Sequence, residues 1–135
     1  MNTLIMISHG NMAREALQSA RMIVGETENA YAISLTQEEG PEEIHNRLQQ
    51  IITENRQSPH FFILVDIIGG TPCNAAFRVA ANNKNITILS GLSLGMVIEF
   101  FISRNKSPDQ LKTELIHTAK QGIKDVLSCY DSSTG

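Results

Sequence analysis

A histidine at the end of the first apolar run, Leu4-Ile5-Met6-Ile7-Ser8-His9-Gly10, is the residue of this chain best placed to do chemistry. A helical pattern begins near Asn11, so the imidazole is expected at the carboxyl edge of a strand, facing a helix start. In open parallel α/β sheets ligands bind at that edge, and the free N–H groups of a helix start favour a phosphate. Histidine is also largely neutral near pH 7 and can act as a nucleophile. A second segment of the same kind, Phe61-Phe62-Ile63-Leu64-Val65-Asp66 followed by Gly69-Gly70-Thr71-Pro72-Cys73-Asn74, brings a carboxylate to the same edge. Glycines at 69 and 70 let the backbone approach a ligand and point successive N–H groups at an anion. Each of these residues alone has an ordinary structural reading: Asp66 as a capping carboxylate, Thr71 as an N-cap, the glycines as a tight turn. Their convergence at one sheet edge points instead to a phosphohistidine site.

The elements that must position these groups are legible as alternating β and α signals. The nearly continuous apolar run Thr3 to Ser8 reads as a strand covered on both faces. Asn11 is the expected N-cap of the first helix; Ala13, Ala16, Leu17, Ala20, Ile23 and Val24 make its apolar face, and Gly25 ends it. Ala30 to Leu35 is the second strand, and Gly40-Pro41-Glu42-Glu43 opens a helix with proline at N1 and Ile44, Leu48, Ile51 and Ile52 inward. After strand three, Phe61 to Asp66, Thr71-Pro72 supplies an N-cap and N1 pair for a helix burying Ala75, Ala76, Val79 and Ala80. Strand four spans Ile86 to Leu89, and Gly91-Leu92-Ser93-Leu94-Gly95 leads into a helix ending near Ser103. Ser107-Pro108-Asp109-Gln110 caps another that stops at Gly122, and Ile123 to Leu127 alternates as an edge strand should. Strands and helices at this spacing imply a three-layer α/β sandwich, its parallel sheet joined by right-handed crossovers.

Composition excludes other classes. At 135 residues the chain is one domain, residues 1–135, large enough to bury roughly two-thirds of its unfolded surface. Its 11 basic and 14 acidic residues are scattered, with no Lys/Arg stripe to follow a nucleic acid. No apolar signal core opens the chain, and Ser90, Gly91, Ser93, Gly95 and Glu99 interrupt the stretch from Ile86 to Ile102, so a cytoplasmic protein is expected. Cys73 and Cys129 lack CxxC spacing and read as reduced thiols. His45, His60 and His117 read as surface residues, and their spacing gives no HxxxH or HExxH pair, so neither a metal nor another cofactor is expected. The first βα turn, His9-Gly10-Asn11-Met12-Ala13, is not a GxGxxG dinucleotide turn.

The chain resembles the IIA component of the mannose-type bacterial sugar phosphotransferase system. The resemblance runs through Ile7-Ser8-His9-Gly10, Gly25-Glu26, Leu64-Val65-Asp66, Gly69-Gly70-Thr71-Pro72-Cys73-Asn74-Ala75-Ala76, Leu89 to Met96 and Gln121-Gly122-Ile123-Lys124, with the Gly-Gly-Thr-Pro-x-Asn block the most specific part. It implies that His9 takes a phosphoryl group from the phosphocarrier HPr and passes it to a IIB component, which phosphorylates sugar arriving through the membrane subunits IIC and IID. It implies that Asp66 accepts a hydrogen bond from one ring nitrogen, leaving the other as nucleophile, while Thr71 and the N–H groups near Gly70 bind the phosphoryl oxygens. It also implies a homodimer in which the segment after Gly122 adds antiparallel to the sheet of a second copy. Gly91-Leu92-Ser93-Leu94-Gly95-Met96 departs from the usual Gly-Val-Asn-Ile-Pro-Met at Ser93 and Gly95. Without a linker or IIB sequence before Gly135, IIB is expected as a separate polypeptide. The alternative is a regulatory domain of the kind found inside transcription activators, where phosphorylation of the histidine is a signal.

Overall fold

Four strands lie in the order β2-β1-β3-β4, all parallel: β1 (Thr3–His9), β2 (Ala30–Leu35), β3 (Phe61–Val65) and β4 (Ile86–Leu89). The computed structural model describes residues 1–134, with side chains through Tyr130, so Gly135 of the expected domain lies outside the described residues. Every residue of β3, and all of β1 before His9, is buried, which is why both strands are almost wholly apolar. Alternation splits their side chains between two cores. Leu4, Met6, Phe62 and Leu64 pack with residues of α1 (Met12–Val24), α4 (Leu94–Ser103) and α5 (Pro108–Gln121); Ile5, Ile7, Ile63 and Val65 pack with α2 (Pro41–Glu54) and α3 (Thr71–Ala80). A fully buried Leu, Ile or Phe contributes about 1.5–3 kcal/mol, so these two layers dominate the stability of the sheet. The expected α/β/α sandwich with four parallel strands is what the chain forms.

The helices start where local chemistry allows. Glu43 of α2 reaches back to accept the Gly40 N–H at 2.9 Å, and Ser107 accepts the Gln110 N–H at the start of α5. Because α1, α3 and α4 follow β1, β3 and β4 through short turns, their N-termini gather at the carboxyl edge of the sheet. The β4–α4 turn is fastened to strand three: Gly91, at φ +79°, donates to the Asp66 carbonyl at 3.2 Å, and Leu92 donates to that of Val65 at 3.1 Å.

The C-terminal segment departs from expectation. Ile123 to Leu127 is not a fifth strand: residues 123–125 have no regular structure, and helix α6 (Val126–Thr134) begins at Val126. Four alternating residues are too few to decide the period. Asp125 decides it locally, its carboxylate accepting the Ser128 N–H at 3.4 Å and its carbonyl the Cys129 N–H at 3.1 Å, as an N-cap does. Two of the histidines also differ from expectation. His60 is half-buried, tilted against Phe62 and bonded through Nε2 to the Thr87 hydroxyl at 2.7 Å; burial lowers its pKa, partly offset by Asp109. His45 is half-buried as well, whereas His117 is exposed.

Candidate active site

His9 is the last residue of β1, beside Leu35 of β2, and Asp66 is the first residue beyond β3. Adjacent parallel strands that end together place the two side chains side by side. One Asp66 oxygen, Oδ2, accepts both the His9 main-chain N–H at 2.8 Å and the ring Nδ1 at 2.7 Å. The other, Oδ1, accepts the Ile67 N–H at 2.8 Å. The carboxylate is thus filled with donors and sits 10 % exposed, while the imidazole is 51 % exposed. Burial acts to raise the Asp66 pKa, but the His9 N–H, the ring and the Ile67 N–H outweigh it and hold the group below its ordinary 3.8. An ionised carboxylate on Nδ1 selects the tautomer with its proton there, which leaves the Nε2 lone pair of the neutral ring unprotonated.

The glycine pair meets two different requirements. Gly69 has φ +84°, the left-handed region in which a side chain is strained. Gly70 has an ordinary φ of −83°, but a Cβ there would stand 3.0 Å from His9 Cε1, so its missing side chain makes room for the ring. Gly70 is also the N-cap of α3, and Thr71 is the first residue of the helix rather than its cap. Thr71 has a hydroxyl with no hydrogen-bond partner among the described residues, directly after the glycine whose missing side chain makes room for His9. The first helical bond runs from the Asn74 N–H to the Gly70 carbonyl at 2.9 Å, so the N–H groups of Thr71 and Cys73 have no acceptor within the helix. All four expected site residues, His9, Asp66, Gly70 and Thr71, therefore lie in or directly beside the β1–α1 and β3–α3 turns at one edge.

The expected N-cap of α1 is different. Asn11 makes no side-chain cap bond; the hydroxyl of buried Ser8 accepts the Ala13 N–H at 2.7 Å instead. A hydroxyl interrupting an apolar strand just before a helix was the available signal. Ser93 does cap α4, accepting the Met96 N–H at 3.3 Å, so the departure at that position supplies a cap. A cavity of about 480 Å³ opens beside the imidazole, lined by His9, Gly10, Leu35, Thr36, Gln37 and Glu39. Met12, Ile67, Ile68 and Leu94, all in or next to the loops at this edge, are exposed apolar side chains. Among the described residues no three His, Cys, Asp or Glu side chains are grouped to hold a metal ion.

Comparison with known proteins bears on the fold and the family. The mannose-specific EIIAB component of the sugar phosphotransferase system of Escherichia coli (strain K12) is 27 % identical over 123 residues, 90 % of this chain; the chain spans only 38 % of that protein's length. The mannose/sorbose-specific IIA subunit from Enterococcus faecalis is 35 % identical, with a TM-score of 0.85 over 91 % of this chain and 92 % of that one. The phosphotransferase system component EIIA from Streptococcus agalactiae superposes with a TM-score of 0.88 over 96 % of this chain and all of that one, at 28 % identity. A family model described as the fructose IIA component of the phosphotransferase system matches residues 3–120, a span that contains the whole sheet and the His9–Asp66 pair: the chain belongs to that family.

Proposed function

We propose that this chain carries a phosphoryl group on His9 Nε2 within a sugar phosphotransferase system, taking it from HPr and passing it to a IIB component. The observation that carries the reading is the Asp66 carboxylate on Nδ1 at 2.7 Å with the rest of the ring half-exposed. In the transfer step the Nε2 lone pair attacks phosphorus in line with the donor's P–N bond. The new P–N bond forms as the old one breaks, and its electron pair returns to the donor nitrogen. The proton on Nδ1 stays between the ring and Asp66, whose negative charge offsets the positive charge the phosphorylated ring acquires. The transition state is loose, so positioning and donors for the equatorial oxygens do most of the work. Thr71 supplies a hydroxyl and an N–H for those oxygens, and the orphan N–H groups of α3 add a favourable dipole. Passing the group onward reverses the same step toward IIB, which feeds the membrane subunits IIC and IID. Exposed Met12, Ile67, Ile68 and Leu94 make an apolar rim suited to protein partners at this edge.

The reading places the chain in the cytoplasm, where such carriers meet; among the described residues no helix is long and apolar enough to cross a membrane. It also includes a homodimer. Ile123, Val126, Leu127 and Tyr130 are all largely exposed on the C-terminal segment, and a second copy would cover them.

The test is phosphorylation by phosphoenolpyruvate, enzyme I and HPr, read by intact mass. One acid-labile, base-stable phosphate is expected per chain, and none on His9→Ala. Full labelling of that variant, or label on His45, His60 or His117, refutes the assignment.

A further inference from the structure

We propose that Ser8 is the positioning residue that sets the His9 imidazole, acting through the turn that carries it; the inference rests on the reading of His9 as phosphoryl acceptor. Ser8 is fully buried in an otherwise apolar stretch of β1. Its hydroxyl closes two bonds at once, accepting the Ala13 N–H at 2.7 Å and donating to the Gly10 carbonyl at 3.3 Å. The two bonds span the His9-Gly10-Asn11 turn and tie the strand end to the first turn of α1. Asn11, the residue in the cap position, makes no side-chain cap bond, and among the described residues the side-chain cap of this helix start comes from Ser8.

The turn it closes has little else to define it. Gly10 sits at φ +60° with open space around its Cα, so no packing of a side chain fixes that residue. Its N–H is bonded to the Leu35 carbonyl at 2.8 Å, and its carbonyl is held by Ser8. His9 between them is fixed on one side by Asp66, through its own N–H and Nδ1, and on the other by the Ser8 turn. Gly70 borders the ring on a further side: a Cβ there would stand 3.0 Å from Cε1, so the space left to the ring is no more than a glycine provides. A small rotation of the His9 main chain would therefore either lengthen the Nδ1 bond to Asp66 or press the ring onto Gly70. A Ser8 hydroxyl that holds the main chain is how the sequence prevents both.

The test uses the full chain with Ser8→Ala, Ser8→Thr and Ser8→Cys, reading imidazole ¹⁵N shifts of His9 by NMR beside the rate of phosphoryl uptake from phospho-HPr. Removing the hydroxyl in Ser8→Ala is expected to pull the two ring nitrogens toward an equal mixture of tautomers and to slow uptake about 10- to 100-fold, the loss that a small misplacement of a reacting group produces. Ser8→Thr, which keeps the hydroxyl, is expected to restore both. Parental ring shifts and parental uptake in Ser8→Ala, with only a lowered melting temperature, overturn the proposal. Should Ser8→Ala fail to fold, Ser8→Cys decides with the same shape, a slightly larger atom and a weaker acceptor: shifted ring signals and slower uptake support the role, and parental values overturn it. A parent chain that takes up no phosphate refutes the carrier reading separately, and the ¹⁵N shifts still decide what Ser8 does to the ring.

Discussion

Asp66 uses its two oxygens unequally, and this makes its replacement informative. Oδ2 receives two donors from His9 and Oδ1 receives one from Ile67, so all three contacts require an acceptor. Asp66→Asn must turn an NH₂ group either toward the Ile67 N–H or toward both His9 donors. Transfer to and from the variant is expected to slow about 10- to 100-fold, the usual cost of losing a carboxylate that orients a reacting imidazole. Stopped-flow or quench-flow rates equal to the parent's would make Asp66 structural only. The carboxyl also links stability to pH. Its folded pKa lies below the ordinary 3.8, so its contribution is complete above that value and is lost as pH falls through the lower folded one. Acid unfolding monitored by circular dichroism should accordingly be less steep below pH 4 in Asp66→Asn than in the parent. His9, Asp66 and Thr71 were legible in the sequence because each ends or follows an apolar run at the same edge. Why Gly70 is glycine was not legible, since the demand comes from a ring 61 positions earlier that only the folded sheet brings against it.

At the scale of elements, the strands read well because the two central ones are buried on both faces and leave continuous apolar runs. The β2 and β4 boundaries fall where turn residues bracket them. Helix starts were harder to assign, since several nearby polar side chains compete for the same N–H groups. Ser8, not Asn11, reaches Ala13; Gly70, not Thr71, is the N-cap of α3; Ser107 and Ser93 act as simple caps. Ser93 also sits just beyond Gly91 and Leu92, which pin the β4–α4 turn to the end of strand three. Removing that cap with Ser93→Ala is expected to cost about 1 kcal/mol, measured as a lower urea midpoint with unchanged slope. Phosphoryl uptake by His9 should stay within twofold of the parent, because the hydroxyl is engaged with Met96. A large drop in uptake without loss of stability would show that this loop touches the phosphoryl group or its donor.

For the molecule as a whole, the C-terminal segment is the part least held by the rest of the fold, with Ile123, Val126 and Leu127 all exposed. The alternation at 123 to 126 reads as an edge strand, yet Asp125 starts a helix, and Leu127 is left 77 % exposed. Whether a short apolar stretch pairs or coils is settled by what it meets, and this one joins neither edge strand of the sheet, β2 or β4. A truncation after Gln121 is expected to sediment as a monomer, while full-length protein and His9→Ala sediment as dimers at tens of micromolar. A full-length monomer, or a truncated chain that still dimerises tightly, would remove the homodimer from the proposed function. The His9–Asp66 contact joins residues 57 positions apart. Translation therefore releases the histidine long before its carboxylate partner, and under the proposed function a nascent or unfolded chain would hold the imidazole without the contact that readies it to accept phosphate. On that proposal phosphate would be accepted only by copies whose first and third strands have met, so each charged carrier would be certified as folded by the act of charging it.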